Sequence, residues 1–321
     1  MAAITVPNTL VLPRVLAVDP TVSRERPATA IAAGRLGVEG AGFPVYRGFA
    51  GLSFEDIDPF LMLDQLGPVL NGPYETKGAP WHPHRGFETV TYVLDGEIAH
   101  HDSHGGGGVI GDGDTQWMTA GSGILHDEVP TDVVYSQGGW QHGIQLWVNL
   151  PSAMKFTPPR YQAITSSKLS LATSGDGGAL IRVIAGEMGG IAGPGSTHTP
   201  VTIAHITLEP GSRLVLPWNP QYNAMMYQLL GESLITTQRH RLPAHHVGLF
   251  GPGDYLEVFG ADVQPDGPAA TGKSEFLLLG GLPIRETVVQ HGPFVMNTKQ
   301  EIVQAFEDYE KGRFGTIPAL S

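Results

Sequence analysis

The segment Trp81-His82-Pro83-His84-Arg85-Gly86-Phe87-Glu88-Thr89-Val90 decides the architecture of this chain of 321 residues. In an extended strand, residues two apart point to the same face, so His82 and His84 can direct both imidazoles into a barrel. The sequence His126-Asp127-Glu128 repeats that spacing further along the chain. Two such pairs on different strands would surround one ion and leave coordination positions open. The spacing therefore predicts a metal site whose ligands are His82, His84, His126 and Glu128.

A plainer interpretation of these side chains stays open at this point. Polar residues at the mouth of a barrel also bind backbone groups and water, and either pair alone fits that description equally well. The glycine framework between the pairs, formed by Gly113, Gly121 and Gly123, favours the metal site for both pairs together.

The composition indicates an all-β protein. Hydrophobic residues make up 41% of the chain and charged residues 16%, while 43 Gly and 26 Pro indicate many turns between short strands. Residues 89–94 are rich in β-branched and aromatic side chains, and Asp95-Gly96 follows them as a tight hairpin signal. We therefore expect strands, with helix confined to the end of the chain.

An internal repeat predicts two similar barrels. Residues 92–97 (YVLDGE) match residues 227–232 (YQLLGE), and a Gly-Asp turn follows each copy, at residues 113–114 and 253–254. Pro158-Pro159 interrupts the strand pattern between the copies. The sequence thus predicts an N-terminal extension over residues 1–40, a metal-binding barrel over residues 41–155 and a second barrel with a C-terminal helix over residues 156–321.

The two ends of the chain have distinct patterns. Residues 10–16 could supply one short edge strand of an otherwise loose extension. Near the other end, Thr298 and Glu301 form a capping box, and Gly312 ends the predicted helix. Its apolar stripe, which we expect to pack against a core, consists of Ile302, Ala305, Phe306 and Tyr309.

Charge and cysteine content exclude several classes of function. The formal net charge is −12 and no basic face is visible, so direct nucleic-acid binding is not expected. The absence of cysteine removes thiolate nucleophiles, disulfides and cysteine-ligated metals, so any metal must use His, Asp or Glu. No signal or membrane-spanning segment is visible, which predicts a soluble, cytoplasmic protein without membrane contact.

Residues 81–90 and 116–126 (QWMTAGSGILH) resemble the two motifs of the pirin family, and the resemblance extends over about residues 59–312. Residues 145–150, 245–246 and 291–298 also carry it. Pirins are bicupins, so the resemblance implies two tandem cupin (jelly-roll) β-barrels with a C-terminal helix. It places one transition metal ion on the four residues of the two pairs. Iron is the expected ion, with Cu, Mn, Co, Ni and Zn as alternatives.

Several residues near the ligand pairs also carry expectations. Asp127 departs from the small residue that pirins usually have there, and an inward Asp127 would add negative charge beside the metal. Glu88 is expected beside the ligands, orienting Arg85 or a histidine, and Arg85 is expected to pair with Asp102 or Glu88. Three further histidines, His100, His101 and His104, are assigned to a hydrogen-bonded turn or the barrel mouth rather than to a second metal site.

The second barrel is predicted to hold no metal. Aligning Trp218 with Trp81 puts Asn219 and Gln221 where the first barrel has His82 and His84. Neither amide is a competitive ligand for a transition metal.

Bacterial proteins of this pattern are known as quercetin 2,3-dioxygenases, which implies an enzyme that cleaves a flavonol-like aromatic substrate with O2. We expect a monomer. Glu128 would then be the catalytic proton acceptor. The alternative is an iron-dependent redox-sensing regulatory protein that binds a transcription factor or a metabolic enzyme. A zinc hydrolase or sugar isomerase is a weaker option, because no cluster of Lys and Arg for a phosphate accompanies the motifs.

Overall fold

A computed structural model describes residues 4–267 and 269–318, and strands dominate it, as the composition predicts. The first strands are β1 (Ala28–Ala33), β2 (Arg35–Glu39), β3 (Phe43–Arg47), β4 (Phe60–Asn71), β5 (Ala79–His84), β6 (Phe87–Asp95), β7 (Ile98–Asp102), β8 (Gly107–Ile110), β9 (Thr115–Thr119), β10 (Ile124–Pro130), β11 (Gly139–Asn149), β12 (Arg160–Ile164) and β13 (Ser170–Thr173). The later strands are β14 (Ala179–Ala185), β15 (Glu187–Met188), β16 (Ile191–Ala192), β17 (Val201–Leu208), β18 (Arg213–Pro217), β19 (Ala224–Leu230), β20 (Glu232–Ile235), β21 (His240–Pro243), β22 (His246–Phe250), β23 (Tyr255–Gly260), β24 (Ser274–Gly281), β25 (Val289–His291) and β26 (Phe294–Met296). The helices are α1 (Phe54–Ile57), α2 (Asp132–Gln137) and α3 (Lys299–Glu310), with 3-10 turns at Thr9–Val11, Ser152–Met154 and Ser166–Lys168.

The chain forms two compact units, and each is discontinuous in sequence. The first barrel contains Leu36–Arg47, Pro59–Ser166 and the chain from Ile284 onward. The second barrel contains the chain up to Arg35, Gly48–Asp58 and Ser167–Pro283. This division differs from the continuous domains expected from the sequence, because β1 pairs with β22 in the second barrel, and Phe294 of the C-terminal segment bridges to Arg85 in the first.

Both units have the double-sheet arrangement of a jelly roll, so the expected all-β bicupin fold is confirmed. The first barrel has a seven-stranded sheet in the order β12-β9-β6-β11-β4-β3-β2 and a four-stranded sheet in the order β5-β10-β7-β8. The second barrel has β1-β22-β19-β24-β17-β14-β13 and β18-β23-β20-β21. The repeated motifs begin in β6 and β19, which occupy the third position of the two large sheets.

Apolar side chains fill the second barrel. Trp218, Met226, Phe276 and other fully or nearly buried residues form one continuous hydrophobic cluster there. Asn219 and Gln221 are exposed, and the Asn219 carboxamide accepts a hydrogen bond from the Gln221 backbone N–H. These residues cap a turn, so the amides do not line the packed interior.

The expected C-terminal helix is present as α3. Thr298 and Glu301 form the predicted capping box, and Gly312 adopts a φ of 68° just beyond the end of the helix. Ile302 and Ala305 pack against Phe294, Met296 and Phe314 in the first barrel. Tyr309 was expected in the buried stripe but is 42% exposed, so the packed face is narrower than the sequence predicts.

The N-terminal segment is more ordered than the sequence predicts. The edge strand expected at residues 10–16 is absent, and only a 3-10 turn and one isolated bridge from Arg14 to Thr173 occur there. The strand lies later, at β1, where residues 28–33 pair with the distant β22. Within the described ranges, 4–267 and 269–318, no helix is long and apolar enough to cross a lipid bilayer.

Candidate metal centre

Strands β5 and β10 bring three of the four predicted ligands together. The strands pair antiparallel, with His126 opposite His82 and Ile124 opposite His84. The ring centroids lie 4.7 Å apart for His82 and His84, 4.2 Å for His82 and His126, and 4.9 Å for His84 and His126. One ligand nitrogen from each ring lies within 4.8 Å of the other two. The alternation of residues along both strands therefore produces the three-imidazole cluster.

Hydrogen bonds at Nδ1 direct two of these rings. His82 Nδ1 lies 2.8 Å from the carbonyl oxygen of Pro80, and His84 Nδ1 lies 3.3 Å from that of Pro293. A carbonyl oxygen only accepts, so each Nδ1 carries the hydrogen and each Nε2 keeps a lone pair. His126 Nε2 is buried and has no hydrogen-bond partner among the described residues. Three such nitrogens suit a first-row transition metal, so the residues present fit the ion that the resemblance implies.

The buried histidines are held neutral. Burial lowers the pKa of His84 well below its ordinary value, and the nearby His82 lowers it further. Burial has the same effect on the pKa of His126, with additional contributions from His82, His84 and His100. A neutral imidazole is the form that binds a metal, so desolvation prepares the site for a cation.

The Glu128 carboxylate is held by three neutral donors on the large sheet. Thr91 Oγ1 donates to Oε1 at 2.7 Å, Gln116 Nε2 also donates to Oε1, and Gln145 Nε2 donates to Oε2 at 2.8 Å. Thr91 lies opposite both glutamines in the sheet, so the donors form one row across it. The Glu128 carboxylate lies within 4.8 Å of ligand nitrogens of His100 and His126. These three residues form a second cluster, which shares His126 with the first.

His100 is a buried neighbour of the ligands. It lies opposite Glu128 in the pairing of β7 with β10, and its Nδ1 is 3.4 Å from Nδ1 of His126. Its ring stacks on Tyr161 with centroids 5.1 Å apart. The turn or mouth position expected for His100 is therefore wrong. The alternation in β7 could have placed it inside, but the pairing of β7 with β10 was not visible in the sequence.

The other two histidines of that group lie outside the cluster. His101 is exposed, and its Nδ1 lies 2.8 Å from the carboxylate of Asp127. Asp127 thus lies on the strand face opposite to His126 and Glu128, and does not join the ligands. His104 is exposed, and its backbone N–H donates to Asp102.

Arg85 has a different partner from the one expected. Its guanidinium binds the carboxylate of Asp308 in α3 at 2.9 Å, and its Nε donates to the carbonyl oxygen of Ser122. Asp102 instead accepts hydrogen bonds from the backbone of the following turn. Glu88 accepts a hydrogen bond from Thr119 at 2.6 Å. The expected pairing of Arg85 is therefore wrong, because a residue more than 200 positions away packs over it.

A cavity of about 640 Å³ opens in front of the cluster, within the first barrel. His82, His84 and Glu128 line one part of it. The apolar part of the lining consists of Phe43, Val45, Met62, Leu66, Trp81, Ile98, Ile144 and Trp147. An apolar cavity with a few convergent polar groups is the usual form of a small-molecule site.

The fold and the cluster define a bicupin with a candidate transition-metal site in one barrel. Residues 42–148 match the Pirin family, and residues 203–315 match the Pirin C-terminal cupin domain. The chain therefore belongs to the pirin family.

Relatives cover most of the chain. It is 38% identical to a human pirin over 86% of this chain and 90% of the relative, and 41% identical to a pirin-like protein of Solanum lycopersicum over 86% and 89%. A crystal structure described as quercetin 2,3-dioxygenase from Acinetobacter baumannii superposes with a TM-score of 0.83 at 35% identity, covering 92% of this chain and all of that one.

Proposed function

We propose that the protein is a metal-dependent dioxygenase that cleaves quercetin or a related flavonol with O2. The observation that carries this proposal is the three-imidazole cluster opening on an apolar cavity large enough for an aromatic ligand. The similarity to a structure described as a quercetin 2,3-dioxygenase supports the choice of substrate.

In this proposal three histidines and Glu128 bind the ion, and Glu128 also accepts a proton. His82, His84 and His126 would hold the ion through Nε2, with Glu128 as the fourth ligand in the proposed site. Iron, or a related redox-active ion, would supply Lewis acidity and electron transfer to O2 when bound. The aromatic wall of Trp81 and Trp147 would pack against the flat substrate and exclude water.

Glu128 would accept the proton from the substrate hydroxyl. Its carboxylate reaches the cavity, and the donors Thr91, Gln116 and Gln145 fix both oxygens. Those donors are neutral groups, so none of them forms an ion pair with the carboxylate. The overall reaction balances without another reductant: one quercetin and one O2 give one phenolic carboxylic ester and one carbon monoxide, with two ring C–C bonds broken.

The test measures consumption of quercetin and O2 by protein loaded with Fe, Cu, Mn, Co or Ni in turn. We expect one-to-one consumption with at least one ion, and release of carbon monoxide. Glu128→Gln should lose turnover, since the ligand charge and the proton acceptor disappear together. Glu307→Gln makes the same chemical change at a half-exposed helix position and should leave turnover unchanged. Negligible turnover with every ion would contradict the proposal and favour the redox-sensing regulator.

A further inference from the structure

The Nδ1 atom of each imidazole in the cluster lies near a hydrogen-bonding atom, but these three atoms differ in kind. His82 and His84 face backbone carbonyl oxygens, which only accept a hydrogen bond. His126 faces the Nδ1 of another histidine, His100, at 3.4 Å. An imidazole nitrogen can either donate or accept, so His126 is the one ring whose hydrogen position depends on a side chain.

Two ring nitrogens at this distance need one hydrogen between them. If His126 Nδ1 carries it, Nε2 of His126 presents a lone pair to the cluster. If His100 Nδ1 carries it, the hydrogen of neutral His126 moves to Nε2, and Nε2 then points a hydrogen at the position of an ion. Both rings are fully buried, with no exposed surface, so water does not replace either partner.

We propose that His100 is a positioning residue, which accepts the Nδ1 hydrogen of His126 and thereby presents the Nε2 lone pair of His126 to the metal. His100 is itself fixed by its stack on Tyr161, with ring planes 24° apart, and by its position opposite Glu128 in the β7–β10 pair. A ligand histidine generally needs such a partner at its second nitrogen, and loss of that partner weakens metal binding. The inference rests on the proposed metal site.

The first measurement is the hydrogen position on each ring of the metal-free protein, read from long-range ¹H–¹⁵N spectra of ¹⁵N-histidine-labelled chain. In the wild type we expect His126 to carry its hydrogen on Nδ1. In His100→Leu we expect His126 to populate both forms, while His82 and His84 keep theirs, because backbone carbonyls hold them. A wild-type His126 with its hydrogen on Nε2 would overturn the inference, whatever the variant does.

The second measurement is the affinity and stoichiometry of Zn²⁺, a redox-inert probe, by competition with a chelator. We expect His100→Leu to weaken binding about 10- to 100-fold. His100→Asn places a carbonyl oxygen near the position of Nδ1 and should restore affinity to within about threefold of wild type. His101→Leu changes the exposed neighbour on the opposite strand face and serves as the matched control, with affinity unchanged.

The outcomes separate this inference from the proposed function. Equal zinc affinities for wild type and His100→Leu would overturn the positioning role and leave the metal site intact. Two zinc ions per chain, one of them lost in His100→Leu, would also overturn it, because His100 would then be a ligand in the cluster with His126 and Glu128. A wild type that binds no ion would contradict the proposed site, whereas the hydrogen position on metal-free His126 would still decide the role of His100.

Discussion

A buried carboxyl group in the cavity wall gives a direct test of the electrostatics of the first barrel. Asp64 in β4 is only 3% exposed, and both of its oxygens lack a hydrogen-bond partner among the described residues. Arg47 lies opposite it in β3 but binds Glu39 instead. Burial, helped by the charge of Glu39 and opposed by that of Arg47, raises the pKa of Asp64 from 3.8 to about 7.

Because folding raises the pKa of Asp64, the contribution of this group to the free energy of unfolding falls as the pH rises. Between its ordinary pKa of 3.8 and about 7, the unfolded chain releases the Asp64 proton while the folded chain retains it. Stability contributed by this group is therefore complete below about pH 4 and is lost as the pH rises to about 7. The difference between 3.8 and about 7 corresponds to about 4 kcal/mol, at 1.36 kcal/mol per pH unit.

Asp64→Asn removes the titration and keeps the size of the side chain. We expect the free energy of unfolding of Asp64→Asn, relative to wild type, to rise by up to about 4 kcal/mol between pH 4 and pH 8. Urea titrations followed by tryptophan fluorescence report mainly the first barrel, because Trp81, Trp117, Trp140 and Trp147 belong to it.

Asp266→Asn is the matched control, since it makes the same change at an exposed position. It should follow the wild-type curve across the whole pH range. If the wild type and Asp64→Asn keep a constant difference from pH 4 to pH 8, the folded-state pKa of Asp64 is not raised and the reasoning fails.

Three further substitutions test the site and its frame. His82→Ala should weaken metal binding by more than about 100-fold, because a direct ligand contributes more to affinity than the residues that hydrogen-bond to ligands. It should change the free energy of unfolding of the metal-free protein by less than about 1 kcal/mol. A larger loss in denaturant titrations would show a structural role for His82. Arg85→Met should cost about 3 to 5 kcal/mol by leaving buried Asp308 short of a cation, whereas Arg313→Met, at the exposed partner of the same carboxylate, should cost less than about 1 kcal/mol. Equal costs in urea would refute the distinction. Thr298→Ala should lower the melting temperature through the loss of about 1 kcal/mol of helix capping, and an unchanged value would show that the cap contributes nothing.

The shared face of each ligand pair and the repeat of the barrel could be predicted because they follow from local rules, whereas the meeting of His126 with His82 and His84 was implied by the family resemblance and depends on the pairing of β5 with β10. Alternation along a strand places His82 and His84 on one face, and the tight turns and the repeat near residues 92 and 227 indicate two similar barrels. The cap of α3 is equally local, since Thr298 and Glu301 are three residues apart.

The features that escaped prediction depend on pairing between distant segments. His100 joins the site only because β7 pairs with β10, and its neighbours in sequence gave no sign of that register. Arg85 binds Asp308 because α3 returns to the first barrel. In the same way β1 enters a sheet with β22, which makes the second barrel discontinuous in sequence. No spacing or composition of a single segment encodes such contacts.

We propose that the first barrel holds one metal ion through His82, His84, His126 and Glu128. X-ray absorption spectroscopy of the iron-loaded protein, with the iron content per chain measured on the same sample, tests it most directly. We expect one ion per chain, with scattering from three imidazoles and one carboxylate oxygen at about 2.0 to 2.3 Å. A spectrum without imidazole scattering, or one that stays the same in His82→Ala, would contradict it.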